Sequence, residues 1–287
     1  MILLDLNQVV IASVMVHARD SKDGELNEQM IRHMVLNTIR SYNRQFKMKY
    51  GRMVLCCDSR HYWRKNFFPN YKVHRKKDRD KSKQNWQMVF DTLARIKQEI
   101  REDMGYQVIE VDLAEADDII GTLAPILCTV EPVLIISSDK DFMQLQIHPN
   151  IDQYSPTFKN FIRSDDPVTY LREHILRGDK SDGIPNFLSD DDTLVSGKRQ
   201  KPLNKKRMTD WVTYEPEFFL NDDDSTIANG YHRNHTLVDL SNTPHDIKNE
   251  IIMQFHKNPP PRRTKTDILN YFIKKGLKDL SGKIEDF

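Results

Sequence analysis

Cysteine is scarce in this chain, with three among 287 residues, and Cys56, Cys57 and Cys128 all sit within apolar runs. The odd count and the lack of any Cys-x-x-Cys spacing argue against a disulfide framework and against structural zinc. They fit a reducing, cytoplasmic setting. Long hydrophobic stretches are missing too. No run approaches the ~18 apolar residues of a membrane span, and the opening Met1-Ile-Leu-Leu-Asp5 lacks the basic region of a signal peptide. No internal repeat is visible, and no Ser-His-Asp or Cys-His arrangement stands out. The ten histidines are scattered and read as surface or packing residues. Catalysis by a nucleophilic side chain is therefore not expected.

Charge, by contrast, is abundant and segregated. Charged residues make up 30% of the chain, yet the net charge is only +1. Between Arg60 and Lys83 ten Lys or Arg face two Asp, whereas Glu110–Ile120 holds five acids and no base. An acidic patch beside a basic one suits a metal site next to a groove for a polyanion.

The first half alternates two kinds of segment. Ile2–Leu6, Met53–Cys57, Gln107–Val111 and Val133–Ser137 are short apolar runs that read as strands. Asn27–Phe46, Trp86–Met104 and Glu115–Leu127 carry apolar residues at helical period. This alternation predicts an α/β fold, a mainly parallel sheet flanked by helices. The second half loses the pattern. Ser189–Ser225 is polar, with the acidic runs Asp190–Asp192 and Asp222–Asp224 around a basic run, Lys198–Arg207, and is expected to be irregular. Pro244–His256 and Thr264–Lys275 read as helices interrupted by Pro259–Pro261, with Thr264 or Thr266 as a cap and Gly276 as a stop. The expected division is a main α/β domain over 1–182 and a linker plus small helical C-terminal domain over 183–287.

Asp5, Asp58 and Asp139 each follow an apolar strand candidate. In open α/β sheets ligands bind beyond the carboxyl ends of the strands. Any one such Asp is more often a turn former or helix cap, and Glu115–Asp118 could simply complement a helix dipole. Recurrence in several elements favours a common site. Converging carboxylates raise one another's pKa and need cations. Their hard oxygens select Mg2+, with Mn2+ as a substitute, rather than zinc. Two such ions could activate water at a phosphodiester.

In order, Asp5, Asp58, Glu115-Ala-Asp117-Asp118, Ser138-Asp139-Lys-Asp141-Phe142 and Gly178-Asp179-Lys-Ser-Asp182 resemble the successive motifs of the flap-endonuclease and 5′→3′-exonuclease family. Chain length and the ending Tyr271–Leu277 look most like its ribonuclease H branch from T-even phages. The resemblance implies a PIN-like fold and two Mg2+ ions. Asp5, Asp58, Glu115, Asp117 and Asp118 would serve one ion, and Asp139, Asp141, Asp179 and Asp182 the other. It implies cleavage of DNA flaps, forks and RNA–DNA hybrids in phage replication, with a single-strand DNA-binding protein as a partner, in a monomer in the host cytoplasm.

Residues 60–83 interleave cations with Tyr62, Trp63, Phe67, Phe68 and Tyr71, a composition that grips single strands by stacking and phosphate neutralisation. Arg64, Lys65, Tyr71, Lys76 and Lys77 are the candidate nucleic-acid contacts. Tyr71-Lys72-Val-His-Arg75 resembles the family's Tyr-Lys-x-x-Arg segment in a helical arch, which implies that Lys72 and Arg75 face the scissile phosphate. After Asp182 the chain departs from cellular relatives: Gly183-Ile-Pro-Asn-Phe-Leu188 is not followed by the glycine turn of a duplex-binding helix-hairpin-helix. Other readings are a PIN-domain ribonuclease, against which the basic arch speaks, and a non-catalytic nucleic-acid-binding scaffold with a decayed site. A haloacid-dehalogenase-type phosphohydrolase needs a second Asp where Asn7 stands.

Overall fold

A computed structural model of the chain describes all residues except 21–25, 83, 214–215, 217–224 and 258, and the side chains of 18–20, 76–78 and 225 also lie outside the described set. Six strands form one sheet in the order β3-β2-β1-β4-β5-β6. These are β1 Ile2–Asp5, β2 Met53–Cys56, β3 Gln107–Ile109, β4 Val133–Ile136, β5 Ile151–Ser155 and β6 Asn160–Ile162. The first five run parallel and β6 returns antiparallel on β5.

The apolar runs become strands because both sheet faces are covered, so every residue of β1, β2 and β4 is buried. Successive side chains point to opposite faces. Ile2, Leu4 and Leu55 pack under helices α2 (Glu28–Tyr50) and α5 (Trp86–Asp103). Leu3, Val54 and Ile135 pack under α6 (Ala116–Leu127). Helix α5 buries Val89, Leu93, Ile96 and Ile100 as one stripe and starts where the Asn85 side chain accepts from the Met88 N–H. In the chain between α2 and α5, the segment expected to form an arch contains two short helices, α3 (Trp63–Phe67) and α4 (Val73–Lys81).

Several elements go beyond the sequence expectation. Helix α1 (Leu6–Asp20) begins directly after β1, β5 and β6 add an edge to the sheet, and α7 (Pro167–Arg177) follows them. The stretch expected to be irregular contains helix α8 (Lys205–Thr213), whose Met208 and Val212 pack on Leu176 and Phe187. Helix α9 (Ser225–Val238) comes next. Helices α10 (His245–Lys257) and α11 (Lys265–Lys274) form close to the expected bounds. Thr264 caps α11 in a reciprocal pair with Asp267, and Gly276 follows at φ +68°. A short helix α12 (Lys278–Ser281) ends the fold.

These C-terminal helices bury into the same two cores as the sheet. Phe272 and Leu280 join the α2/α5 side, and Ile247 and Ile251 join the α6 side. Strand order reverses around β1: β2 and β3 lie to one side, β4 and β5 to the other. The crevice at the carboxyl ends of β1 and β4 is thus the topological switch point.

Candidate active site

The expected acids meet at that crevice from two directions. Asp5 is the last residue of β1, Asp58 lies just beyond β2, and Glu115 and Asp117 open α6. From the other side come Asp139 and Asp141 beyond β4, and Asp179 and Asp182 in the turn after α7. Local hydrogen bonds aim the carboxylates. Asp5 accepts from the Gln8 N–H at 3.0 Å and, across the switch point, from the Ser137 hydroxyl at 3.0 Å. Asp58 accepts from the Ala116 N–H at 2.8 Å, which ties β2 to the start of α6. Asp139 accepts from the Asp141 N–H at 3.0 Å and caps a short 3-10 helix, Lys140–Ile147.

Crowding shows in the proton affinities. Burial, and then the neighbouring Asp58, push Asp5 up to about 8. Burial and Glu115 raise Asp58, and burial and Asp139 raise Asp117 and Asp141 well above the carboxylate range. Asp139 is raised by burial and by Asp182. Carboxyls pushed up together in this way are under-compensated negative charge. Hard oxygen donors with that deficit fit divalent cations such as Mg2+.

Lysine and arginine compensate the flank of Glu115 and Asp182. Lys72 Nζ lies 2.6 Å from Glu115 and 3.4 Å from Asp182, and Arg75 reaches Asp182 at 2.5 Å. Glu115 is lowered despite its burial because Lys72 and Arg64 face it. Lys72 is raised despite burial by Asp182 and Glu115. Its backbone sits in the left-handed region at φ 54°, with its N–H donating to the Asp182 carbonyl at 2.7 Å.

Asp118 is placed differently from its neighbours. It is fully buried and accepts from Arg64 at 2.9 Å, Trp63 Nε1 at 3.0 Å, the Thr243 hydroxyl at 2.8 Å and the Glu115 N–H at 2.9 Å. It faces into the protein and braces the start of α6. Arg64 and Tyr71, expected to contact nucleic acid, are also corrected by the structure, since each is only 2% exposed. Arg64 donates to Glu115, Asp118 and the Leu237 carbonyl. The Tyr71 hydroxyl donates toward Glu115 and Asp182, at 3.0 Å to each. The reason is their position: both turn inward under the short arch helices, where the acids need partners. Trp63 and Phe68 are buried as well, so of the arch aromatics only Phe67 is well exposed. Lys65 is exposed as expected. Lys76 and Lys77 lie on α4, with side chains outside the described set.

One histidine was misread as a packing residue. His174 on α7 sits with Nδ1 3.3 Å from Asp141 and Nε2 3.7 Å from Asp179. Burial would keep the ring neutral, but Asp179 and Asp141 raise its pKa, while Asp179 is lowered, against its own burial, by His174 and the Ser181 N–H. These three residues offer ligand atoms within 4.8 Å of one another, the one such group among the described residues. The available signal was spacing, since His174 stands one helical turn before the Gly178 stop and the Asp179 that follows it. A cleft of about 520 Å3 opens here, lined by Gln8, Asp139, Asp141, His174, Asp179 and Lys180 among others.

Residues 1–172 match the model of the family described as 5'-3' exonuclease, N-terminal resolvase-like domain. The chain belongs to the 5′–3′ exonuclease family. Residues 168–287 match a model described as T4 RNase H, C terminal. A similar protein is the ribonuclease H of Enterobacteria phage T4, 32% identical over 99% of this chain and 95% of that one. Among solved structures, a flap endonuclease of bacteriophage T5, in a complex with DNA and metal ions, superposes with a TM-score of 0.64 at 15% identity, covering 99% of this chain and 98% of the other. A T5 5′-exonuclease with zinc bound gives 0.62 at 13% identity, over 90% of this chain and 99% of that one. At that identity the superpositions establish the fold, a resolvase-like, mostly parallel sheet between helices. No helix among the described residues is long and apolar enough to cross a membrane.

Proposed function

We propose that the protein is a Mg2+-dependent, structure-specific 5′→3′ nuclease with flap-endonuclease and ribonuclease H activity, removing RNA primers and 5′ flaps during phage DNA replication. The observation that carries the reading is the meeting of two acid groups across the switch point, opposite Lys72 and Arg75 of the arch. Residues 1–182 contribute every one of these groups. The acids Asp5, Asp58, Glu115 and Asp117 would hold one ion, and Asp139, Asp141, Asp179 and Asp182 the second, with Mn2+ able to substitute. The chemistry such ions supply when bound is a water nucleophile at neutral pH and neutralised charge on the leaving oxygen.

The protein's own groups do the rest. Asp118, Arg64 and Trp63 fix the first turn of α6, so Glu115 and Asp117 present their oxygens without reorganising. His174 spans Asp141 and Asp179 and holds their separation. Lys72 and Arg75 have a second task once an anionic backbone enters: their donors face the scissile phosphate and stabilise charge that develops there. Exposed Lys65, Phe67 and Arg79 line the outer surface of the arch for the strand beyond.

The substrates in this reading are DNA flaps, forks and RNA–DNA hybrids. The enzyme acts as a monomer in the host cytoplasm beside a single-strand DNA-binding protein. The deciding assay is cleavage of a 5′-labelled flap duplex and an RNA–DNA hybrid, with Mg2+ and with EDTA, beside Asp139→Asn. Mg2+-dependent release of short 5′ products by the wild type, lost in the variant, supports the reading. Intact salt-sensitive binding without cleavage by the wild type would replace it with that of a binding scaffold.

A further inference from the structure

Arg233, on α9 and far in sequence from the acids of the site, is buried at 5% exposure. A guanidinium carries five N–H donors in a fixed fork, and here all five find acceptors. Nε donates to Asn234, one terminal nitrogen to the Ser189 carbonyl and Asp191, and the other to the carbonyls of Pro185 and Asn186. Four of those five acceptors belong to the loop that leaves the active-site turn at Asp182. Asn234 adds bonds to the Ile175 and Pro185 carbonyls, at 2.7 and 3.0 Å.

This clasp touches the site at both ends. The Pro185 carbonyl lies against Gly178, where a Cβ would stand 2.3 Å from it and φ is +64°, so only glycine permits the crossing. The Ile184 N–H donates to the Asp179 carbonyl at 2.7 Å. On the arch side, the Asn70 side chain donates to the Asp191 carbonyl at 3.0 Å. Gly183, at φ +79°, lets the Asn70 carbonyl approach to 2.9 Å of where a Cβ would be. The guanidinium of Arg233 also lies 5.8 Å from the ring centre of Phe68, at the base of the arch. Arg233 therefore contacts the loop that carries Asp182 and the segment that carries Lys72.

We propose that Arg233 is a positioning residue for phosphodiester cleavage, holding the 185–191 loop so that Lys72 stands at its working distance from Asp182 and Glu115. The proposal rests on the reading of Lys72 given above. A fully bonded buried guanidinium is a device for geometry more than for net stability. A planar fork serving carbonyls on several sides cannot be replaced by an ammonium. A misplacement of ~1 Å at a reacting centre costs up to ~100-fold in rate.

The test is single-turnover cleavage of the flap duplex in Mg2+ by R233K, N70A, K72A and R233K/K72A, with flap affinity in EDTA and thermal denaturation measured on each. The expected result is a loss of about tenfold or more for R233K and a smaller loss for N70A, with flap affinity held within about twofold. R233K/K72A should be no slower than K72A, because Arg233 acts through Lys72. Wild-type rates in R233K, or losses that multiply in the double variant, overturn the proposal. If R233K does not fold, N70A and N70A/K72A decide by the same two criteria. Slow cleavage by K72A beside normal cleavage by R233K defeats this proposal alone, whereas normal cleavage by K72A defeats both it and the reading beneath it.

Discussion

The Lys72 ammonium lies 2.6 Å from Oε1 of Glu115, within the acid cluster rather than out in solvent. It serves as a counter-ion to Glu115 and Asp182, and in the proposed function it changes partners when a phosphate arrives. Lys72→Ala should lower the cleavage rate by ~100-fold or more, in the range seen on deleting one electrostatic donor to a transition state. Because φ at Lys72 is 54°, Lys72→Gly makes a useful pair. Both variants should be equally slow, with the glycine form more stable by about 1 kcal/mol in urea denaturation.

Acidity in the site makes stability depend on pH and on cations. The Asp5 carboxyl has its folded pKa at about 8, far above its ordinary value. Its protonated form is the one the fold prefers. Stability from this group is therefore full below about pH 4 and lost as pH rises through 8. Thermal melts in EDTA should show a Tm that falls between those limits. Mg2+ should restore it at neutral pH by mass action on the folded state. Asp117→Asn should melt higher than wild type in EDTA and gain less from Mg2+. A Tm in EDTA that does not change with pH would contradict this account.

Glu99 predicts the opposite slope elsewhere in the molecule. It joins Arg32 of α2 to Tyr271 of α11 and Lys275, at 2.9, 2.8 and 2.5 Å. Burial works against its charge, but Arg32, Lys275 and Tyr271 bring its pKa from 4.5 down to about 2. Its contribution is present above about pH 4.5 and disappears as pH falls through 2. Glu99→Gln should cost on the order of 3 kcal/mol at pH 7, the upper limit implied by that shift, and little at pH 2. Urea denaturation at both pH values measures the difference.

Two neighbouring cations of the arch should behave as opposites. Arg64→Ala leaves Asp118 buried without its main partner and should destabilise the fold by ~3–5 kcal/mol. Lys65→Ala should leave stability unchanged and reduce the log–log salt dependence of flap binding by about one unit. Chemical denaturation and binding titrations across salt concentrations separate the two effects.

The fold was legible where burial leaves a strong trace. Leu3-Leu4, Met53–Cys56 and Val133–Ile136 are apolar at consecutive positions because both faces of their sheet are covered. The acids that follow them stood out for that reason. Strand β5 hid because its buried Gln153 and Ser155 bond inside the protein, Gln153 to the Ser137 and Asp139 carbonyls, and so read as polar loop. Composition alone could not tell Arg64 from Lys65, since the arch is basic on both of its sides and only packing assigns each side chain to one. Helix α8 was obscured by the charges around Met208 and Val212. Arg233 depends on partners distant in sequence, which local spacing scarcely reports, and His174 shows its nearby partner Asp179 in the sequence but not Asp141.

The strand order also bears on synthesis. A chain is made and begins to fold from its N-terminus, yet β1 waits for β4 before the crevice has its second wall, and Asp182 comes later still. A growing polypeptide shorter than that residue holds the first group of acids without the whole of the second. The crevice therefore gains its last acid only when well over half of the chain has been made.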